Sequence, residues 1–187
     1  VLPQATGAVI LAAGIAGLVI FLLWETRVPN PVLNIALFTR NTVFAMSNLS
    51  ALIHYSATFA ISFLLSLYLQ YVKGLSPQTA GIILVSQPIV QAVVSPVAGR
   101  MSDRREPRLL ASSGMTLTMI GLLLLSLLDD GTGVPYIIVS LLINGLGFAL
   151  FVTPNTNAIM SCVERGCYGL ASAIMSTMRL TGQMLSM

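Results

Sequence analysis

The 187-residue chain is 56% hydrophobic and 8% charged, with a mean hydropathy of +0.89, whereas an ordinary soluble domain carries about 25% charged residues. A soluble fold of this length cannot hide that much apolar surface in one core, which leaves lipid as the solvent. The net charge of +3 rests on few residues with no interleaved aromatics, so no nucleic-acid partner is expected.

A bilayer-spanning helix needs about 20 mostly apolar residues, and stretches of this kind recur along the chain. The first lies near 7–24 and is uncharged, with Ala12, Ala13, Ala16 and Gly17 permitting close helix packing. A connector holding Glu25, Arg27, Pro29, Pro31 and Arg40 follows, and a second segment runs over 42–72, long enough to tilt or protrude. Lys73-Gly74-Leu75-Ser76-Pro77 breaks the pattern; Ser76 can cap a new helix whose first position is Pro77. That third segment covers 77–98, and Pro88 and Pro96 predict a kink in it. The stretch Arg100 to Arg108 then concentrates six charged residues. A fourth segment over 109–128 ends at Asp129-Asp130-Gly131-Thr132-Gly133, a fifth covers 135–158, and a sixth covers 169–187. Runs such as Leu122-Leu123-Leu124-Leu125 do not alternate in polarity, which excludes barrel strands. The expected fold is all-α: a polytopic membrane bundle of about six transmembrane helices in one membrane domain.

Val1 is not an initiator Met, no basic signal-peptide start precedes the first apolar run, and Met187 falls inside another. A fragment of a longer protein is expected. Cys162 and Cys167 have no His or further Cys nearby, so no zinc site is expected, nor any other metal or cofactor. Numbering the connectors alternately puts Arg27, Arg40, Arg100, Arg104, Arg105, Arg108 and Arg165 on one side and only Lys73 on the other. The positive-inside rule places the Arg-rich side in the cytoplasm of a multi-pass plasma-membrane protein.

Polar residues inside spans face the bundle interior or a hydrated cavity, and here they recur at helical spacing. Ser47, Ser50, His54, Thr58 and Ser62 share a face of the second segment; Gln87, Gln91 and Ser95 do so on the third. Ser140, Asn144, Gly147 and Asn155 mark the fifth, and Ser172, Ser176, Arg179 and Gln183 the sixth. These four helices are expected to surround a polar pathway, with His54, Gln87, Gln91, Asn144, Arg179 and Gln183 as candidate lining residues. The alternative for each stripe is plain interhelical hydrogen bonding, worth about 0.6 kcal/mol per bond on average. Arg179 stands near mid-helix, where an arginine costs about 2.5–3.5 kcal/mol on insertion scales; a structural role bonded to neighbouring carbonyls is its alternative. No Asp or Glu lies in any span, so a coupling carboxylate would have to come from elsewhere.

Gly99, Arg100, Asp103, Arg104 and Arg108 form the clearest motif. Asp103 can accept from helix-start N–H groups and pair with a neighbouring arginine, latching two helices in one state, or the cluster can be a static positive-inside anchor. Gly99-x-x-x-Asp103-Arg104 resembles the cytoplasmic motif that follows the second helix of each half in the major facilitator superfamily. The wider pattern is similar to the fourteen-helix drug:proton antiporters of the EmrB/QacA type. Pro31, Leu33, Leu37-Phe38 and Phe44 resemble the start of that family's second half, and Tyr68-Leu69-Gln70 with Gly74-Leu75-Ser76-Pro77 and Ala80-Gly81 its next helix–loop–helix turn. Gly145-Leu146-Gly147, Pro154-Asn155, and Arg179 with Gly182 resemble the two helices after the motif. Glu106 departs from the glycine common there, which puts the tight turn of the motif in question.

The resemblance implies the eighth to thirteenth of fourteen helices, and alternating access in which two bundles rock around a central site. It implies proton-coupled efflux of drugs or other small molecules, lipophilic or cationic. The partners are then the bilayer, the small-molecule substrate, protons and the N-terminal half of the same transporter. An intramembrane enzyme and a structural membrane subunit are the other readings; no nucleophile motif accompanies His54 to support the first.

Overall fold

The computed structural model describes residues 41–104 and 106–187, with positions 9, 12–14, 16–17, 19–20, 23–24 and 38 nearer the start. The segment expected near 7–24 is described only at scattered positions, all of them helical. Arg27, Pro29, Pro31, Leu33, Leu37, Arg40 and Arg105 lie outside the described residues. The chain forms two compact units, Val1–Thr42 and Val43–Met187.

Six α-helices follow one another among the described residues, with no strand between them: α1 Thr42–Leu67, α2 Pro77–Leu84, α3 Ser86–Ser102, α4 Pro107–Ser126, α5 Val134–Ser161 and α6 Tyr168–Leu185. Four stretches are long and apolar enough to cross a bilayer: Thr42–Val72, Pro77–Ser102, Pro107–Ser126 and Val134–Ser161. Their outward side chains are large and apolar, Phe63 at 63%, Val93 at 68% and Leu123 at 56% exposure. Such a surface suits lipid and would aggregate in water. The α6 helix is not among the four, because its 18 residues include Arg179, Gln183 and several hydroxyls.

The helix boundaries follow local chemistry. A π-helical turn, Tyr68–Val72, closes α1. Gly74 then takes φ +63, a left-handed conformation that an L side chain rarely adopts. The Ser76 hydroxyl accepts the Thr79 N–H at 3.2 Å and Pro77 occupies the first turn of α2. The third span breaks at Val85, between α2 and α3. Pro88 has no N–H for the Leu84 carbonyl and its ring crowds that turn, so the ladder opens just upstream. Pro96 sits inside α3 without interrupting it. The Asp129–Gly133 connector is pinned to the end of α1: the Tyr68 hydroxyl donates to the Asp129 carbonyl at 2.6 Å and Lys73 Nζ to the Asp130 carbonyl at 2.6 Å. The Thr132 hydroxyl donates to the Asp129 carboxylate at 2.7 Å and holds its pKa below the usual value.

The central helix is α5, which packs along both α3 and α4. Glycines allow the approach. A Cβ on Gly114 would lie 2.5 Å from the Phe151 nitrogen, and one on Gly147 would lie 2.6 Å from the Thr118 nitrogen, so α4 and α5 meet backbone to backbone. Gly145 stands likewise against the Gln87 carbonyl of α3. An apolar cluster of Leu65, Leu69, Ala80, Ile83, Ile137 and Leu141 closes one end of the bundle.

Candidate functional site

Away from that cluster, α1, α5 and α6 draw apart around a cleft of about 110 Å3. Ala51 and Tyr55 of α1, Phe151, Val152, Asn155 and Thr156 of α5, and Met175, Ser176 and Arg179 of α6 line it. Asn155 Nδ2 donates to the Ser47 carbonyl at 3.1 Å and ties α5 to α1 at its margin. The Tyr55 ring meets Phe148 edge to face at 5.6 Å, a contact that restrains the ring. Arg179 is exposed and lines the cleft together with Tyr55, its charge acting on the phenol. A permanent cation, a phenol, an amide and two hydroxyls therefore converge on one apolar-walled space.

Of the six candidate lining residues, Arg179 is on the cleft surface. His54 is buried behind it, its ring 4.2 Å from that of Phe151 and 5.0 Å from that of Phe148, with Nε2 unpartnered. Gln87 is buried at the α3–α5 contact, where its backbone meets Gly145, and Gln91 is half-buried one turn further on. Asn144 is fully buried against Gly121 of α4, and neither side-chain polar atom has a partner. Gln183, one turn beyond Arg179, is half-buried.

Two hydroxyls of the polar stripes, Thr58 and Ser140, bond within their own helix, as does the neighbouring Thr156. Thr58 donates to the His54 carbonyl at 2.8 Å, Ser140 to Tyr136 at 2.9 Å and Thr156 to Val152 at 2.8 Å. This back-bonding satisfies a hydroxyl in lipid without any neighbour. Tyr55, Phe151 and Met175 were not singled out from the sequence. The one signal for Tyr55 was its place one turn from Ala51, on the face next to the stripe.

The charged motif lies at the α3–α4 turn. Gly99 passes the α5 side chain Thr153 at a distance that a Cβ would fill at 3.5 Å. Asp103 caps α3 through its N–H to the Gly99 carbonyl, and Arg100, Asp103, Arg104 and Arg108 are exposed. Among the described residues no three His, Cys, Asp or Glu side chains converge as a metal site would require.

Residues 48–187 match the sequence profile of the Major Facilitator Superfamily. The chain belongs to the Major Facilitator Superfamily. It is 31% identical over 172 residues to the riboflavin transporter RibZ of Clostridioides difficile, covering 90% of this chain and 38% of that protein. It is 30% identical over 174 residues to the multidrug resistance protein Stp of Mycobacterium tuberculosis, covering 93% and 32%. The multidrug efflux pump LfrA of Mycolicibacterium smegmatis is 28% identical over 174 residues, covering 93% and 34%. The chain thus spans about a third of the length of these curated relatives. It is a multi-pass membrane protein of a superfamily of transporters, not of enzymes.

Proposed function

We propose that this chain forms six helices in the C-terminal half of a fourteen-helix drug:proton antiporter, which exports drugs or other small molecules across the plasma membrane by alternating access. The observation that carries the proposal is the α1–α5–α6 cleft, where Arg179 stands with Tyr55, Asn155, Thr156 and Ser176 between apolar walls; at mid-membrane an arginine costs about 2.5–3.5 kcal/mol. A membrane arginine without a carboxylate beside it is costly for packing alone and useful on a solute's route. The N-terminal half would supply the facing wall and the carboxylate that couples proton entry to export, since no span here contains one. The Arg-rich connectors would face the cytoplasm. In this reading Gly99, Arg100, Asp103, Arg104 and Arg108 latch the α3–α4 turn in one access state. Two of the relatives are named for drug efflux or resistance and one for riboflavin transport, which supports a small organic solute.

An efflux assay in cells expressing the intact transporter tests the proposal. Intracellular ethidium should fall on energisation and recover when a proton uncoupler is added. Export indifferent to the uncoupler would remove the antiport mechanism, and equal accumulation with and without the protein would remove export.

A further inference from the structure

The cleft has a chemical sign. Its lining carries one permanent cation and no carboxylate. Guanidinium offers five N–H donors in a planar fork and no acceptor. The Tyr55 hydroxyl stands on the same lining and can also donate. The Thr156 hydroxyl is committed to the Val152 carbonyl, and one Asn155 N–H to the Ser47 carbonyl. What remains is an uncompensated positive charge within a cluster of polar groups, each of which except the guanidinium can accept as well as donate. In a low-dielectric layer such a cluster attracts an anion strongly and repels a cation.

Size and wall narrow the ligand. The space of about 110 Å3 on this side takes an acidic group and the carbons next to it, and the facing half would enclose the rest of the solute. The rest of the surface is apolar or aromatic: Ala51, Phe151, Val152 and Met175. We infer that this cleft receives the carboxylate or sulfonate of an amphipathic aromatic acid, gripped by Arg179 and Tyr55 with its apolar body against Phe151 and Met175. The inference rests on the proposal that the cleft belongs to the solute pathway. It differs from the lipophilic or cationic substrates implied by the family resemblance.

The test uses the intact transporter in nanodiscs, with fluorescein as the aromatic acid and ethidium as the aromatic cation, followed by fluorescence anisotropy. Saturable fluorescein binding should weaken at least tenfold in Arg179→Gln, less in Arg179→Lys, and about threefold in Tyr55→Phe, a variant that removes one oxygen and keeps the ring. Ethidium, which has no acidic group for the guanidinium to hold, should lose clearly less affinity than fluorescein in all three. Absence of saturable fluorescein binding, or equal weakening of both dyes, overturns the inference; the second outcome means that Arg179 pairs with a carboxylate of the other half. Ser176→Cys in a cysteine-free background separates this inference from the proposal beneath it. Labelling by a water-soluble maleimide that fluorescein slows supports both. Labelling that fluorescein does not slow leaves the pathway standing and removes the anion. No labelling removes both.

Discussion

Gly182 of α6 lies so close to α1 that a Cβ built on it would stand 2.5 Å from the Leu52 carbonyl oxygen. The same point would lie 3.1 Å from the Ser56 nitrogen, so the obstacle is backbone, which cannot rotate away. This contact sets the spacing of α1 and α6 one turn from Arg179. Gly182→Ala should force the helices apart and destabilise the intact protein by about 1–3 kcal/mol, the usual range for overpacking. Gly81→Ala is the control: nothing lies within 4 Å of its Cβ, and alanine is the better helix former by about 0.5–1 kcal/mol. Thermal unfolding in detergent should therefore move in opposite directions for the two variants.

Asn144 makes the second case. Both polar atoms of its amide lack partners in a fully buried position. An unpaired buried amide costs about 1–3 kcal/mol, so Asn144→Ala, which removes the amide and adds no bulk against Gly121, should lower the thermal midpoint little or not at all. Export should fall if the amide finds its partner only in the opposite access state. A clearly lowered midpoint together with normal export would show that the amide is needed here for packing.

Pro88 is the third. The break at Val85 stands where the Leu84 carbonyl loses its helical donor. Pro88→Ala restores that N–H, and α2 and α3 should fuse into one rod over Pro77–Ser102. A higher thermal midpoint and slower export by the intact transporter are the expected pair. A midpoint lowered by more than the error of the scan would mean that packing, not proline, bends this span.

The helices were legible because each span must be apolar over about 20 residues, and the break in the third because proline removes a donor at a known offset. The setting of each helix about its own axis was less legible. A serine or threonine at helical spacing can bond its own i−4 carbonyl, as Thr58 does with His54, so a stripe alone does not identify the face that meets solute. His54 shows the consequence: its stripe runs down α1, yet its ring stacks on Phe151 and the neighbouring Tyr55 meets the cleft. Arg179 was visible from sequence because charge in lipid is rare. Tyr55 was not, because its ring reads as apolar until its place beside Arg179 in the cleft is known. The Gly121–Asn144 contact depends on the register of α4 against α5, which neither segment encodes by itself.

The last prediction concerns the α3–α4 turn. Asp103 is exposed and ends α3, four residues beyond Gly99, which passes α5 at Thr153. A static anchor would need only the positive charge of Arg100, Arg104 and Arg108, and loss of one exposed carboxylate would be neutral or favourable to it. A latch needs the carboxylate, because only an acceptor can engage N–H or guanidinium donors presented by another helix in one of the two states. Asp103→Asn keeps the shape and removes the charge. If the turn is a latch, the variant should reach the membrane at the normal level and export ethidium several-fold more slowly. Asp103→Glu should recover part of the rate. Export at the normal rate in Asp103→Asn would identify the cluster as an anchor, with Arg100 and Arg104 setting topology and nothing more.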